Sequence, residues 1–210
     1  GKKLYTVYNP DGTVDPFLSC RGILMTKESA GNTEILFANP NPGDYGAIDR
    51  WSIPRSVPGA GSYGVTQSLV DAFFMENGLS PILGYENNDY SKPIINPASG
   101  YTETGFSTEP EVRNTGWQEC QGNVNPGQVT MAGAYNMYCH REARFYIAVL
   151  YNRAWFSKTA EGGRQTMFLK GEQDGGTSMD APRNGYLQNK LAHPDRDNVN
   201  VTFPYRPAVN

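Results

Sequence analysis

The sequence predicts a loop-rich α+β fold with few short helices and strands. Three observations predict it. Gly 23 and Pro 15 in 210 residues call for frequent turns and much irregular backbone. Apolar periodicity is confined to a few short windows. Aromatic content of 12% beside only 19% charged residues marks a folded chain, since charge-rich disorder has the opposite balance. The mean hydropathy of −0.56 is therefore carried by Asn, Gly, Ser, Thr and Tyr.

The elements follow in chain order. Thr33-Glu34-Ile35-Leu36-Phe37-Ala38 is a short apolar run bounded by Asn32 and by Asn39-Pro40, which predicts a strand or an extended buried segment. Residues 66–77, TQSLVDAFFMEN, predict the best helix, with Leu69, Val70, Phe73 and Phe74 on one core-facing side. Thr66 or Ser62 can cap its start, and Gly78 stands where a left-handed C-terminal residue is wanted. Residues 79–140 are mostly turn chemistry, with ENNDY, NPASG, NTG and NPG. The apolar, β-prone stretch 144–151, RFYIAVLY, predicts a strand, and Met167-Phe168-Leu169 another. No repeat and no linker divides the chain, so residues 1–210 are read as a single loop-rich segment. So much loop for so little scaffold suggests that the supporting framework lies partly outside these residues.

Several classes drop out. A net charge of −3 and no basic patch do not suit a nucleic-acid polyanion. No apolar run approaches the roughly 20 residues that span a bilayer, and no signal peptide is visible. The opening GKKLYTVYNPDG reads like the middle of a protein. The cysteines, Cys20, Cys120 and Cys139, are odd in number and form no C-x-x-C, so a disulfide scaffold is not expected, though one bridge is left open. Cys120, Cys139 and His140 fit no usual zinc spacing.

Gly59-Ala60-Gly61-Ser62-Tyr63-Gly64 is a formal G-x-G-x-x-G ahead of a helix. A dinucleotide site needs a buried strand feeding the first glycine and a second strand after the helix. Pro54 and Pro58 forbid the first, and the stretch 79–84, LSPILG, is too broken for the second. The glycines are better read as letting the backbone turn tightly into the helix.

The same stretch, GVTQSLVDAFFMENG at 64–78, resembles the P-T-Q-x-L-V-D-x-F-x-x-x-x-G segment of the SusD/RagB family, with Val65 where proline is common. GNTEILFA at 31–38 is similar to the family's N-x-E-I-I-F-A, and HREARFYIAVLYN at 140–152 to its R-D-P-R-F-Y, with Glu142 and Ala143 replacing Asp-Pro. NGYLQNK at 184–190 is similar to its T-G-Y-x-x-x-K, and PYR at 204–206 lies where a late helix would begin. The matches fall in the family's order and span nearly the whole chain. The resemblance implies a middle-to-late segment of a mainly α, tetratricopeptide-like α/α superhelix with a loop-rich face. It implies a lipid-anchored, glycan-binding protein of the outer membrane, facing the exterior and lidding a TonB-dependent (SusC-like) transporter, without a cofactor.

Glycan binding suits this composition. Rings bury the C–H face of a sugar while amide, carboxylate and guanidinium groups meet its hydroxyls. The candidate ligand-binding residues are Tyr45, Asp49, Arg50 and Trp51 in one loop, Tyr85, Asn88 and Tyr90 around ENND, and Trp117 in NTGWQE. Each ring has a second reading as a half-buried structural residue. Trp155, Phe73 and Phe74 are read as core, and Tyr63 as packing in the glycine turn.

A glycan-active hydrolase would share such loops and is kept as the alternative, as is a structural lid segment that binds no sugar itself. Hydrolysis wants two carboxylates about 5–10 Å apart. Of the acids, among them Asp44, Asp49, Asp89, Glu119 and Asp180, no pattern singles out a pair. Neither His140 nor His193 sits in a catalytic motif, and His140 is read as capping or packing. The oxygen-rich stretch 193–198 does not fit an EF-hand and is read as a solvated turn. Asn200-Val201-Thr202 matches a glycosylation triplet that a bacterial protein would leave unused.

Overall fold

The computed structural model describes residues 3–26, 30–36, 50–56, 59–113, 125–156, 162–176 and 181–190. Helix α1, Pro16–Met25, starts where Asp15 accepts from the N–H groups of Phe17 and Leu18, with proline in the first turn. Its far end is tied off by buried Asn32, whose Nδ2 donates to Ile23 O at 3.0 Å and Thr26 O at 2.9 Å. Asn32 also holds the turn that follows, through Glu34 N. Residues 33–36 are consequently not the expected strand: Thr33 and Glu34 turn, and Leu36 is 84% exposed. Phe37 and Ala38 lie outside the described residues.

Helix α2, Gln67–Ala72, is capped by Thr66, as the sequence suggests. It stops well short of residue 77 because tertiary bonding wins over local pattern. Phe73 is extended, and the chain beyond it runs beside residues 140–142, with Glu142 N donating to Phe74 O and Glu76 N to His140 O. Val70 is fully buried and Phe73 half-buried, but Leu69 and Phe74 are exposed, so the expected core-facing side is only partly buried. Gly78 is left-handed as expected, yet it closes a turn onto Met75 O and not the helix end.

Strands β1 (Ile82–Tyr85) and β2 (Pro93–Ile95) pair antiparallel, with an irregularity between Ile82 and Gly84. Strands β3 (Glu111–Val112) and β4 (Gln128–Thr130) form a second pair. The expected strand at 144–151 is instead helix α3, Ala143–Ala148, running straight into β5, Val149–Tyr151. Burial of Ala143, Phe145, Tyr146 and Ile147 together overrides β propensity there. Strands β6 (Trp155–Phe156) and β7 (Arg164–Gln165) pair, as do β5 and β8 (Tyr186–Gln188). Residues 167–169 do not form a strand, because side chains take their backbone donors: Asp174 accepts from Met167 N, Asn152 from Phe168 N and Glu172 from Leu169 N.

The main core joins α1, α2, α3, β4, β5 and β8 around Phe17, Val70, Phe145, Tyr151 and Leu187. Trp155 is buried, as read from the sequence. A smaller cluster of Met75, Ile82 and Tyr101 lies under the β1–β2 hairpin. Asp174 is fully buried and holds β7 in place, accepting both Nη groups of Arg164 at 2.8 Å together with Ser56 Oγ. Among the described residues no helix is long and apolar enough to cross a membrane.

Candidate functional site

Two of the sequence stretches that carry the resemblance, 140–152 and 184–190, converge on a third, 64–78, which holds α2. Arg141 is fully buried and reaches across to it, with Nη2 donating to Val70 O at 2.5 Å and Phe73 O at 2.8 Å while Nη1 donates to Met137 O at 3.0 Å. From residues 184–188, Asn184 Nδ2 donates to Val65 O at 2.6 Å, Gln188 N to Tyr63 O at 2.8 Å and the Tyr186 hydroxyl to Gln67 Oε1 at 2.7 Å. These motifs are joints of the scaffold.

The glycine loop is a joint as well. Ala60 N donates to Arg50 O, Ser62 N and Tyr63 N donate to Trp51 O, and Gly61 N donates to Ile53 O. The loop thereby satisfies the carbonyls of the helical turn at residues 50–52 and its exit. A side chain at Gly59 would meet Ile53 O at 2.1 Å, so close backbone approach is what demands glycine.

This arrangement sets Trp51 edge-on to Tyr63, ring centres 5.0 Å apart, and both rings remain partly exposed. Arg50 is exposed beside them. A second pair stands on the β1–β2 hairpin. Tyr85 and Tyr90 lie 4.8 Å apart and tilted by 48°, with Tyr90 69% exposed. Their loop is held by its own polar groups. Asn87 and Asn88 take left-handed conformations, Glu86 N donates to Lys92 O, and Asp89 Oδ1 accepts from the backbone N and hydroxyl of Ser91. The side chain of Asn88 is exposed at the tip. Tyr85 is half-buried and fixed from below, its hydroxyl donating to Asp71 Oδ2 at 2.7 Å.

Of the sequence-predicted site residues, the structure thus places Arg50 and Trp51 together at the glycine loop and Tyr85, Asn88 and Tyr90 together on the hairpin. Tyr45, Asp49 and Trp117 lie outside the described residues, as do Cys120, His193 and the stretch 193–202. One exposed pair escapes the sequence reading. Phe106 and Tyr135 bridge antiparallel with ring centres 4.7 Å apart, and Phe106 is 59% exposed. The two are far apart in sequence, and only their pairing in space makes a surface of them.

One cluster of ionisable groups stands apart. A ligand atom from each of Glu76, Glu111 and His140 lies within 4.8 Å of the others. Every carboxylate oxygen is already engaged. Arg113 bonds Glu76 Oε2 and Glu111 Oε1, His140 Nδ1 meets Glu76 Oε1 at 3.1 Å, and Glu111 Oε2 accepts from His140 N and the Tyr146 hydroxyl. A cation there would have to displace a guanidinium. Burial acts to raise the Glu76 carboxyl, but the hydrogen bond and charge of Arg113, with a smaller part from His140, outweigh it and hold it below its ordinary value. A glycosidase acid needs the opposite shift. Burial pushes the nearby Cys139 thiol up to about 11, so it stays protonated at neutral pH.

The comparisons agree with this architecture. A SusD family model matches residues 28–205, and no curated protein matches the chain. Among solved structures, a SusD-like protein from Bacteroides fragilis NCTC 9343 is 20% identical, over 99% of this chain and 32% of its own, with a TM-score of 0.48. BT4246 is 16% identical over 92% of this chain and 30% of its own, with a TM-score of 0.52, and its selenomethionine form gives 0.54 over 31%. The chain spans about a third of the length of these proteins. With the family model extending over most of its residues, and a loop-rich fold of few short helices and strands to match, the chain belongs to the SusD family.

Proposed function

We propose that the protein is a non-catalytic glycan-binding protein of the outer-membrane surface that passes oligosaccharide to a TonB-dependent transporter. Family membership supports a general part in glycan uptake. The observation that carries the reading is the Tyr85–Tyr90 pair, with Tyr90 exposed and Tyr85 half-buried, on a loop held by its own hydrogen bonds. Tyr90 offers a face for stacking on a pyranose ring, and Asn88 offers amide groups for its hydroxyls. Trp51 and Arg50 form a second contact of the same kind, with Tyr45, Asp49 and Trp117 proposed as further ligand residues.

Each neutral hydrogen bond nets only about 1 kcal/mol, so binding depends on several contacts at once. The test is a glycan array on the intact protein, repeated with Tyr90→Ala, Trp51→Ala and Trp117→Ala. Weakened binding in these variants, with no release of reducing ends from the bound polysaccharide, is the expected result. Undiminished binding in all of them refutes the site, and turnover refutes the non-catalytic role.

A further inference from the structure

A chain of side-chain hydrogen bonds runs from the aromatic core to the surface pair. The Tyr138 hydroxyl meets that of Tyr186 at 3.4 Å, and Tyr186 donates to Gln67 Oε1 at 2.7 Å. Gln67 Nε2 donates to Asp71 Oδ1 at 2.8 Å, and Asp71 Oδ2 accepts from the Tyr85 hydroxyl at 2.7 Å. Each member is fixed by the next. Gln67 accepts with one end of its amide and donates with the other, so its orientation is set. Asp71 is buried on α2 with each carboxylate oxygen accepting one of these bonds.

We propose that Asp71 is a positioning residue for ligand: it holds the Tyr85 phenol so that the Tyr85–Tyr90 pair presents one fixed ring face to a sugar. This rests on the reading of that pair as a glycan platform. Two points favour a positioning role over a packing one. Tyr85 is only half-buried, so shape alone does not fix its ring. Tyr90 leans on Tyr85 and is otherwise mostly in water. A stacking platform gains by being ordered before the ligand arrives, because rotamer freedom lost on binding is subtracted from affinity.

The test uses the intact protein in native gels cast with amylopectin, xyloglucan, pectic galactan, yeast mannan or chondroitin sulfate. Tyr85→Phe keeps the ring and removes the bond. Asp71→Asn keeps the shape and removes the charge. Each is expected to lower retention by about 3- to 10-fold, the effect of one side-chain hydrogen bond, at a temperature well below the melting point of every variant, because Tyr85→Phe also leaves a buried Asp71 oxygen without its donor. The double variant is expected to be no weaker than the worse single one, because both act through one contact. Should Tyr90→Ala lower retention while Tyr85→Phe and Asp71→Asn do not, the positioning role is overturned and the platform stands. Additive losses also overturn it, as does retention that falls only in step with melting temperature. Should Tyr90→Ala leave retention intact, or no gel retard the protein, both readings fall. If Asp71→Asn does not fold, Tyr85→Phe alone decides.

Discussion

Replacement of Arg141 by methionine is the sharpest test of how the scaffold is held. The guanidinium is fully buried, lies 4.8 Å from the ring centre of Phe145 and 5.4 Å from that of Tyr101, and donates to three backbone carbonyls. No carboxylate pairs with it at ion-pair distance among the described residues, and its Nε–H makes no bond among them. In Arg141→Met, Val70 O keeps a second donor in Phe73 N at 3.4 Å. Phe73 O and Met137 O have no other described partner. At about 1–3 kcal/mol for each orphaned acceptor, those two lose about 3 kcal/mol. Relief from burying a charge works the other way, while loss of the ring contacts adds about 1 kcal/mol. A net loss of about 3 kcal/mol is expected, and about 2 for Arg141→Lys, which keeps the charge but not the fork. Urea unfolding of the intact protein reads this as a lowered midpoint at unchanged slope. Hydrogen exchange should localise the loss to residues 70–76 and 137–142. A methionine variant within about 0.5 kcal/mol of wild type would refute the reasoning, because it would mean that burying the charge costs as much as its bonds return.

Three further outcomes are expected. Arg164, Ser56 and Met167 N together outweigh burial and hold the Asp174 carboxyl below its ordinary value; its stabilisation is therefore full above about pH 4–5 and lost as pH falls through the lower folded pKa. Unfolding measured from pH 7 to pH 3 should show that loss, and Asp174→Asn should remove it along with about 2–4 kcal/mol at neutral pH. Asp15→Ala removes the cap that accepts from Phe17 N and Leu18 N, both at 2.9 Å, and should cost about 1–2 kcal/mol in a thermal melt. Cys139, with its thiol pushed up to about 11 by burial, should react with iodoacetamide at pH 8 about a hundred times more slowly than a free cysteine in the denatured chain.

What the sequence made legible, and what it hid, divides along local versus long-range interactions. Thr66 as a cap, Trp155 as core and Gly61 as a turn-former follow from local chemistry, and each is found in place. Helix α1 left only a local trace, Asp15-Pro16 as a cap followed by proline at the first helical position, and it was not expected because the apolar run behind it has no strong period. The strand read at 144–151 could not be corrected from within the chain. Its first part, RFYIA, is β-prone by composition and becomes α3 because it packs against α1, more than a hundred residues away, while residues 149–151 form β5 as expected. Helix α2 likewise ends early because residues 140–142 bond to the chain beyond it. At the candidate site, Tyr90 and Trp51 were legible as rings among polar residues. Asp71 was not. Its place in an apolar helical window marks it only as an oddity until Tyr85 is seen above it.

The division of labour between motif and loop follows from the same bonds. Gln67, Asp71, Arg141, Asn184 and Tyr186 belong to the stretches most like the family, and they bond chiefly to one another or to backbone. Changing one strands its partners in the interior, so the cost falls on folding whatever the ligand is. The side chains of Tyr90 and Asn88 are exposed and make no hydrogen bond among the described residues, so changing them leaves no buried group unpaired. A scaffold built this way can exchange its hairpin tip at little cost in stability, while the bond from Asp71 keeps any phenol at position 85 in register. Sugar selectivity would then be carried by residues 86–92, and a graft of that loop from another member of the family should carry the donor's glycan preference with it. Transfer of preference without Tyr85 would show that the tip orders itself and that Asp71 serves the fold alone.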